Sequence, residues 1–183
     1  MRSRLFIALN IPKEVQERIV EIRNEIYNDK NVKWESTDKY HITLKFLGDV
    51  EDELKRDIIA SLDQITDTSS KVKLSFNRFS LFYKNNVPKI LYAGFAYDES
   101  LINLHKKIEE EISKFGFPTE KRKYKPHLTI CRFKGGEDEE KIKELIQYNF
   151  PKKDFLSGSV ELIESKLTQQ GSIYKIIKRF NLS

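Results

Sequence analysis

Sliding this 183-residue chain along itself by 86 positions brings its two halves into register. Leu5-Phe-Ile-Ala-Leu9 falls on Leu91-Tyr-Ala-Gly-Phe95, and the apolar positions Val15, Ile22 and Ile26 fall on Leu101, Ile108 and Ile112. His41-Ile-Thr43-Leu then falls on His127-Leu-Thr129-Ile. Each half therefore reads strand, helix, loop and a His-x-Thr strand. Apolar periodicity alone would be a weak repeat, since any chain mixing helices and strands shows some. A repeat that also lays histidine on histidine and threonine on threonine is far more restrictive. Two similar units, each with an apolar face to cover, predict an α+β fold. The two units are related by a pseudo-two-fold and share one cleft.

Composition is consistent with one domain over residues 1–183, built as two interleaved lobes. Hydrophobic residues make up 39%, enough for a core, and the 33% charged fraction is mixed in sign. Only seven glycines and five prolines occur, with no glycine- or serine-rich linker between the halves. The single cysteine, Cys131, excludes a disulfide framework and a multi-cysteine metal site, and fits a reducing, cytoplasmic setting. No apolar run approaches the ~20 residues of a membrane span. The run Leu5–Leu9 ends at Asn10 and meets Pro12, so it reads as a buried strand rather than a signal segment.

Further along, a helix starts near Asn10 and Pro12, with Asn10 as its cap, and carries Val15, Ile19, Ile22 and Ile26 on one stripe. His41–Leu47 reads as a strand closed by Gly48-Asp49, and Leu54, Ile58, Ile59 and Leu62 mark a second helix. Val72, Leu74 and Phe76 alternate with polar residues as a half-exposed strand. A hairpin turns at Asn85-Asn86, and a third helix carries Leu101, Leu104, Ile108 and Ile112. After the strand His127–Phe133 come a short acidic helix over Glu137–Gln147 and a closing hairpin, Val160–Leu167 with Ile173–Ile177, turning at Gln169–Ser172.

Residues two apart on a strand share a face, so His41 projects with Thr43 and His127 with Thr129. With the halves related by a two-fold, the imidazoles face one another across the groove. That placement suits in-line displacement at phosphorus, where acid and base stand on opposite flanks. Histidine serves both roles because its ordinary pKa lies near ~6.5. The threonine hydroxyls can donate to phosphate oxygens that gather charge. No metal or cofactor is called for: there is no His-x-His pair, HExxH segment or aspartate-rich loop. A single strand histidine is usually a packing or surface residue; two in matching contexts at matching points of a repeat reverse that weighting. His105, beside the apolar stripe of the third helix, is read as a boundary residue.

By strict alternation Lys45 and Cys131 share the groove face with their histidines, Cys131 as a small filler rather than a nucleophile, while Phe46 turns into the core. Alternation also turns Arg132 away from the groove, which it reaches only if the strand bends or ends there. Trp34 and Tyr40 have two equal readings, stacking on an unpaired base or covering a loop. From Lys114 to Lys134 seven basic residues meet one acid, Glu120, and from Lys71 to Lys89 there are five basic residues and no acid. With a net charge of +5, this fits a polyanionic partner, or simply a lysine-rich solvated surface.

The segments Tyr40-His-Ile-Thr-Leu-Lys-Phe-Leu-Gly-Asp49 and Lys125-Pro-His-Leu-Thr-Ile-Cys-Arg132 closely resemble the paired motifs of the two-histidine (2H) phosphoesterase superfamily, most closely its RNA 2′,3′-cyclic phosphodiesterase branch, historically called 2′-5′ RNA ligases. The opening Arg4-Leu-Phe-Ile-Ala-Leu9 and the ending Lys166-Leu-Thr168 through Ile173-Tyr-Lys175 extend the resemblance over nearly the whole chain. It implies metal-independent opening of an RNA terminal 2′,3′-cyclic phosphate to a 2′-phosphomonoester, with His41 as general acid and His127 as general base, and Thr43 and Thr129 beside them. It also implies a bilobal fold, each lobe an antiparallel sheet with helices packed outside and the active-site groove between the lobes, and a basic residue five places after the second histidine, here Arg132. Lys45, by its strand parity, and Tyr40 and Trp34, by their place near the first motif, are further candidate substrate contacts. The expected partner is RNA carrying a cyclic phosphate or a 2′-5′ linkage, with no membrane, and the chain is expected to be a monomer. Two alternatives stand beside this reading: a phosphodiesterase of small cyclic nucleotides or 2′-5′ oligonucleotides, and a non-catalytic RNA-binding module.

Overall fold

The computed structural model describes residues 2–96, 98–149, 151, 153–169 and 171–183. Its elements, in chain order, are β1 (Arg2–Asn10), α1 (Lys13–Ile26), β2 (His41–Glu51), α2 (Asp52–Asp67), β3 (Val72–Lys84), β4 (Val87–Phe95), α3 (Glu99–Ser113), β5 (His127–Arg132), α4 (Glu139–Gln147), β6 (Lys153–Ser157), β7 (Ser159–Thr168) and β8 (Gly171–Asn181). They form two antiparallel four-stranded sheets, ordered β2-β1-β7-β8 and β5-β4-β3-β6. The repeat is visible in that order: β1 and β2 answer to β4 and β5. Each His-x-Thr strand lies at a sheet edge, and the edges β2 and β5 approach one another.

The helical stripes pack as their spacing requires. Val15, Ile19, Ile22 and Ile26 of α1, and Leu101, Leu104, Ile108 and Ile112 of α3, are all buried in one core that draws on both sheets. The strand β1 is buried on both faces from Leu5 to Leu9 because it is an inner strand. Leu5, Ile7 and Leu9 enter the main core, while Phe6 and Ala8 enter a small separate cluster with Ile163 on the other face.

Several boundaries differ from expectation. Asn10 does not cap α1; it ends β1 opposite His41, and the Pro12 carbonyl accepts the first amides of the helix from Val15 and Gln16. Gly48-Asp49 does not close β2, which runs on to Glu51; Gly48, at φ +72°, sits where the register with β1 shifts, a backbone state that favours glycine. The strand beginning at Val72 continues unbroken through Tyr83 and turns at Asn85 and Asn86, with φ of 52° and 60°, as a two-residue hairpin of this twist requires. Strand β6 has little signal of its own, because Lys153-Asp-Phe-Leu-Ser157 is short and polar at one end; it forms by pairing with Val72–Phe76 of β3. The closing turn includes Gln170, outside the described residues.

The decisive irregularity occurs twice. In β2 the register with β1 slips between Thr43 and Lys45, leaving Leu44 as an extra residue. In β5 the register with β4 slips between Thr129 and Cys131, leaving Ile130 extra. Leu44 and Ile130 are themselves related by the 86-residue offset. A bulge re-aims every side chain beyond it. Phe46 and Arg132 are thereby turned onto the cleft face, and Lys45 and Cys131 are turned inward, to 5% and 0% exposure.

The buried Lys45 ammonium donates to Glu109 Oε2 of α3 at 2.7 Å and to the Pro118 carbonyl at 2.9 Å, and the same carboxylate oxygen accepts from the Glu120 amide. This cluster ties β2 to α3 and to the basic loop that leads into β5. Removing one member of a buried ion pair leaves an uncompensated charge. The variant Glu109→Ala is therefore expected to lose about 3–5 kcal/mol in urea unfolding. A loss below about 1 kcal/mol, the level of an exposed pair, would contradict this account.

Candidate active site

The cleft between β2 and β5 is lined by His41, Thr43, Phe46, His127, Thr129 and Arg132, together with Glu35, Lys39 and Tyr174, around a cavity of about 90 Å³. The structure thus brings both His-x-Thr pairs and Arg132 to one small pocket. Each imidazole is held in the same way. His127 Nδ1 lies 2.8 Å from the Lys125 carbonyl, and His41 bonds to the carbonyl of Lys39. Both acceptors stand two residues before their histidine, so the repeat extends to the backbone groups that orient the rings. A ring N–H donated to a carbonyl fixes the tautomer and leaves the other nitrogen for chemistry.

Aromatic rings seat the histidines. Phe6 and Tyr174 lie 4.9 Å and 5.5 Å from the His41 ring. Phe82 and Tyr92 lie 4.8 Å and 5.7 Å from the ring of His127 and stack on each other at 4.3 Å. Phe6 and Tyr92 are again 86 positions apart, so the repeat carries a signal for them in its aromatic positions as well as its polar ones. Tyr174 and Glu35 have no such signal. Glu35 lies within 3.5 Å of Arg132 Nε and 3.6 Å of Lys39 Nζ, and its amide donates to the Ile130 carbonyl at the bulge, so it steadies Arg132 at the pocket mouth.

The other expected contacts lie elsewhere. Lys45 is absent from this small pocket: it is held in the buried pair with Glu109 and borders only the larger cavity beside it, and Cys131 is in the core, where burial pushes its thiol up to about 12. Phe46, expected in the core, is 75% exposed at the cleft rim. All three reversals follow from the bulges. Tyr40 is 3% exposed, its side chain directed into the core beside Arg23, because it sits one residue before His41 and so faces the opposite way. Trp34 packs behind β5: its backbone bridges to Cys131, its indole N–H donates to the Asp29 carbonyl, and its ring meets Tyr27 and the Arg23 guanidinium. Of the two readings for Tyr40 and Trp34, covering a loop is the one the structure favours. His105 is a half-buried boundary residue stacked on Tyr124 at 3.8 Å. Among the described residues no group of three or more His, Cys, Asp or Glu could hold a metal ion.

Residues 9–92 and 96–174 match the family described as LigT like Phosphoesterase. The chain belongs to this family. It is 34% identical, over 97% of its length and 99% of the relative's, to the RNA 2′,3′-cyclic phosphodiesterase of Methanocaldococcus jannaschii. It is 29% identical to the similarly named protein of Thermotoga maritima, over 95% of this chain and 92% of that one. Among solved structures, a Thermus thermophilus protein has a TM-score of 0.84 at 21% identity, covering 98% of this chain and 97% of its own. E. coli LigT complexed with 3′-AMP has a TM-score of 0.78 at 20% identity, covering 100% and 99%. These two share the fold. No described helix is long and apolar enough to cross a membrane.

In this LigT-like phosphoesterase the pocket is electrostatically tense before any ligand arrives. Burial lowers the His41 pKa to about 4, with the neighbouring His127 and Arg132 acting in the same direction against the Lys39 carbonyl. Burial also lowers His127, with Lys125 and Arg132 adding to it. Both rings are therefore neutral near pH 7, and a bound anion would favour the protonated form. The expected result in an NMR titration is a His41 midpoint near 4 in the free protein, moving upward when inorganic phosphate is added. A midpoint at the ordinary histidine value of 6.5, unmoved by phosphate, would contradict the site described.

Proposed function

We propose that this protein hydrolyses the terminal 2′,3′-cyclic phosphodiester of RNA to a 2′-phosphomonoester, without a metal ion. The observation that carries the reading is the pair of imidazoles set on the edge strands of two different sheets, each locked by a carbonyl two residues upstream and facing one pocket with Arg132. The names of the full-length relatives support the substrate.

The phosphate enters the small pocket, where Arg132, Thr43 and Thr129 donate to its non-bridging oxygens. Its negative charge offsets the burial that depressed His41, so that ring takes up a proton. Neutral His127 removes a proton from water as the water oxygen attacks phosphorus. The P–O3′ bond breaks in line, and His41 gives its proton to the departing 3′ oxygen. The ribose keeps the phosphate on its 2′ oxygen, and the two histidines have exchanged protonation states. A larger cavity of about 540 Å³ adjoins the pocket, sharing His127, Thr43 and Phe46 with it and carrying Arg122, Lys123 and Lys125. It opens the side from which water arrives. A ribose 5′-hydroxyl in place of that water would form a 2′-5′ linkage by the same step.

The test is turnover of a short RNA ending in a 2′,3′-cyclic phosphate, with EDTA present throughout. Wild type is expected to give a 2′-phosphate at an undiminished rate, and His41→Ala and His127→Ala are each expected to lose about 10²–10⁴ in kcat. No turnover with RNA binding intact would favour the binding-module reading instead.

Acidity adds an independent check. The productive free enzyme carries one proton on the pair, so kcat/KM should be bell-shaped. Because both histidines are depressed from 6.5, its limbs and its maximum should lie on the acid side of that value. In kcat, which reports the complex, the substrate anion favours the His41 imidazolium and should carry the basic limb to higher pH. A kcat/KM independent of pH from about 5 to about 9 would sink the two-histidine mechanism.

A further inference from the structure

One face of the sheet β2-β1-β7-β8 carries the helix-covered core; the other continues outward from the reaction pocket. On that outer face Phe46 of β2 lies opposite Phe6 of β1, Phe6 opposite Ile163 of β7, and Ile163 opposite Ile176 of β8. An apolar row thus crosses all four strands, from the pocket rim to the free edge of the sheet. Phe6 and Ile163 form its buried bed, Tyr174 lies against them, and the ends protrude, Phe46 at 75% and Ile176 at 47% exposure. Leu167, 69% exposed, extends the same face along β7 toward the hairpin tip.

Polar groups accompany the row. Ser165 is paired with Tyr174 in the neighbouring row, and Arg4 lies two residues before Phe6 on the same face, with an exposed side chain close enough for its charge, like that of Arg132, to act on Tyr174. An apolar and aromatic sheet surface edged by arginine suits unpaired bases, which stack on such side chains whatever their identity while cations meet the phosphates.

We propose that this face binds the single-stranded RNA lying 5′ of the cyclic phosphate, so that the enzyme acts preferentially on oligonucleotide ends rather than on cyclic mononucleotides. The inference rests on the reaction proposed above, and the reaction sets its direction. In-line attack from the His127 side leaves the 3′ oxygen, and the ribose attached to it, on the His41 side. His41 is in ring contact with Phe6 and Tyr174 of this sheet. The chain entering that ribose from its 5′ side therefore emerges over the row. Three strand spacings from Phe46 to Ile176 span about 14 Å, roughly the reach of two or three nucleotides.

The experiment compares wild type with the double variant Leu167→Glu/Ile176→Glu on a 2′,3′-cyclic mononucleotide and on a pentanucleotide ending in a cyclic phosphate. Both positions are exposed, and an unchanged Tm checks that the fold survives. Wild type is expected to prefer the pentanucleotide, and the variant to lose about tenfold of that preference through KM. Fluorescence anisotropy of a labelled pentanucleotide with the inactive His127→Ala protein should show the same loss of affinity when the two glutamates are added. An unchanged preference and affinity would overturn the proposal. So would a wild-type dimer in size-exclusion chromatography that the glutamates dissociate, since a second copy would then be the occupant. If wild type binds the pentanucleotide through this face but cleaves neither substrate, the reaction reading fails and the surface stands.

Discussion

The cleft depends on one backbone irregularity made twice: an extra residue, Leu44 in β2 and Ile130 in β5, inserted just after each His-x-Thr pair. Up to the bulge, strand alternation presents histidine and threonine to the pocket. Beyond it, alternation is reversed, and Phe46 and Arg132 take the cleft positions that Lys45 and Cys131 would have held. The charge of Arg132 would be costly in the core without a partner, and the bulge delivers it instead to the mouth of the pocket. Lys45, turned inward by the same device, becomes the buried cation that binds β2 to α3 and to the loop before β5. Tyr124 of that loop donates to the Thr43 carbonyl at 3.0 Å, so the segment leading into the second motif also touches the first.

Around these bulges the site is built from paired supports rather than from a chain of catalytic groups. Each histidine has a carbonyl two residues upstream, Lys39 or Lys125, and an aromatic seat, Phe6 with Tyr174 or Phe82 with Tyr92. The seats exclude water, and that exclusion depresses both imidazoles. An anion in the pocket would favour their protonated forms. Symmetry is broken just past the two bulges, where one strand carries a phenylalanine and the other an arginine. The two lobes thus offer a ring at the rim and a guanidinium at the pocket mouth, from equivalent backbone positions.

Much of this could be read from residue order. The 86-residue repeat, the apolar stripes of α1 to α3, the hairpin at Asn85-Asn86 and the four motif residues are local patterns, set by periodicities of two and 3.6 and by turn chemistry. The repeat holds Phe6 and Tyr92 too, at aromatic rather than polar positions. Strand β6 was not legible, since five residues with a polar start pair only because the Val72–Phe76 stretch of β3 presents an open edge. Trp34 was ambiguous for a related reason: proximity to a motif in sequence says nothing about which side of the sheet a ring ends on, whereas Tyr40, one residue before His41, is set on the face opposite the histidine by strand alternation.

What the amino-acid sequence determined by itself is the pair of half-sites, because a His-x-Thr strand places both side chains on one face wherever it lies. Only the tertiary structure decided the residues beyond them. A bulge is a mismatch between two strands, so its place depends on the partner, β1 or β4, and cannot be counted along β2 or β5 alone. Likewise Glu35 and Tyr174 reach the pocket from a loop and from the last strand, brought there by sheet pairing over long separations. The chemistry at the centre of the cleft is local; its walls, its rim and its electrostatics are long-range.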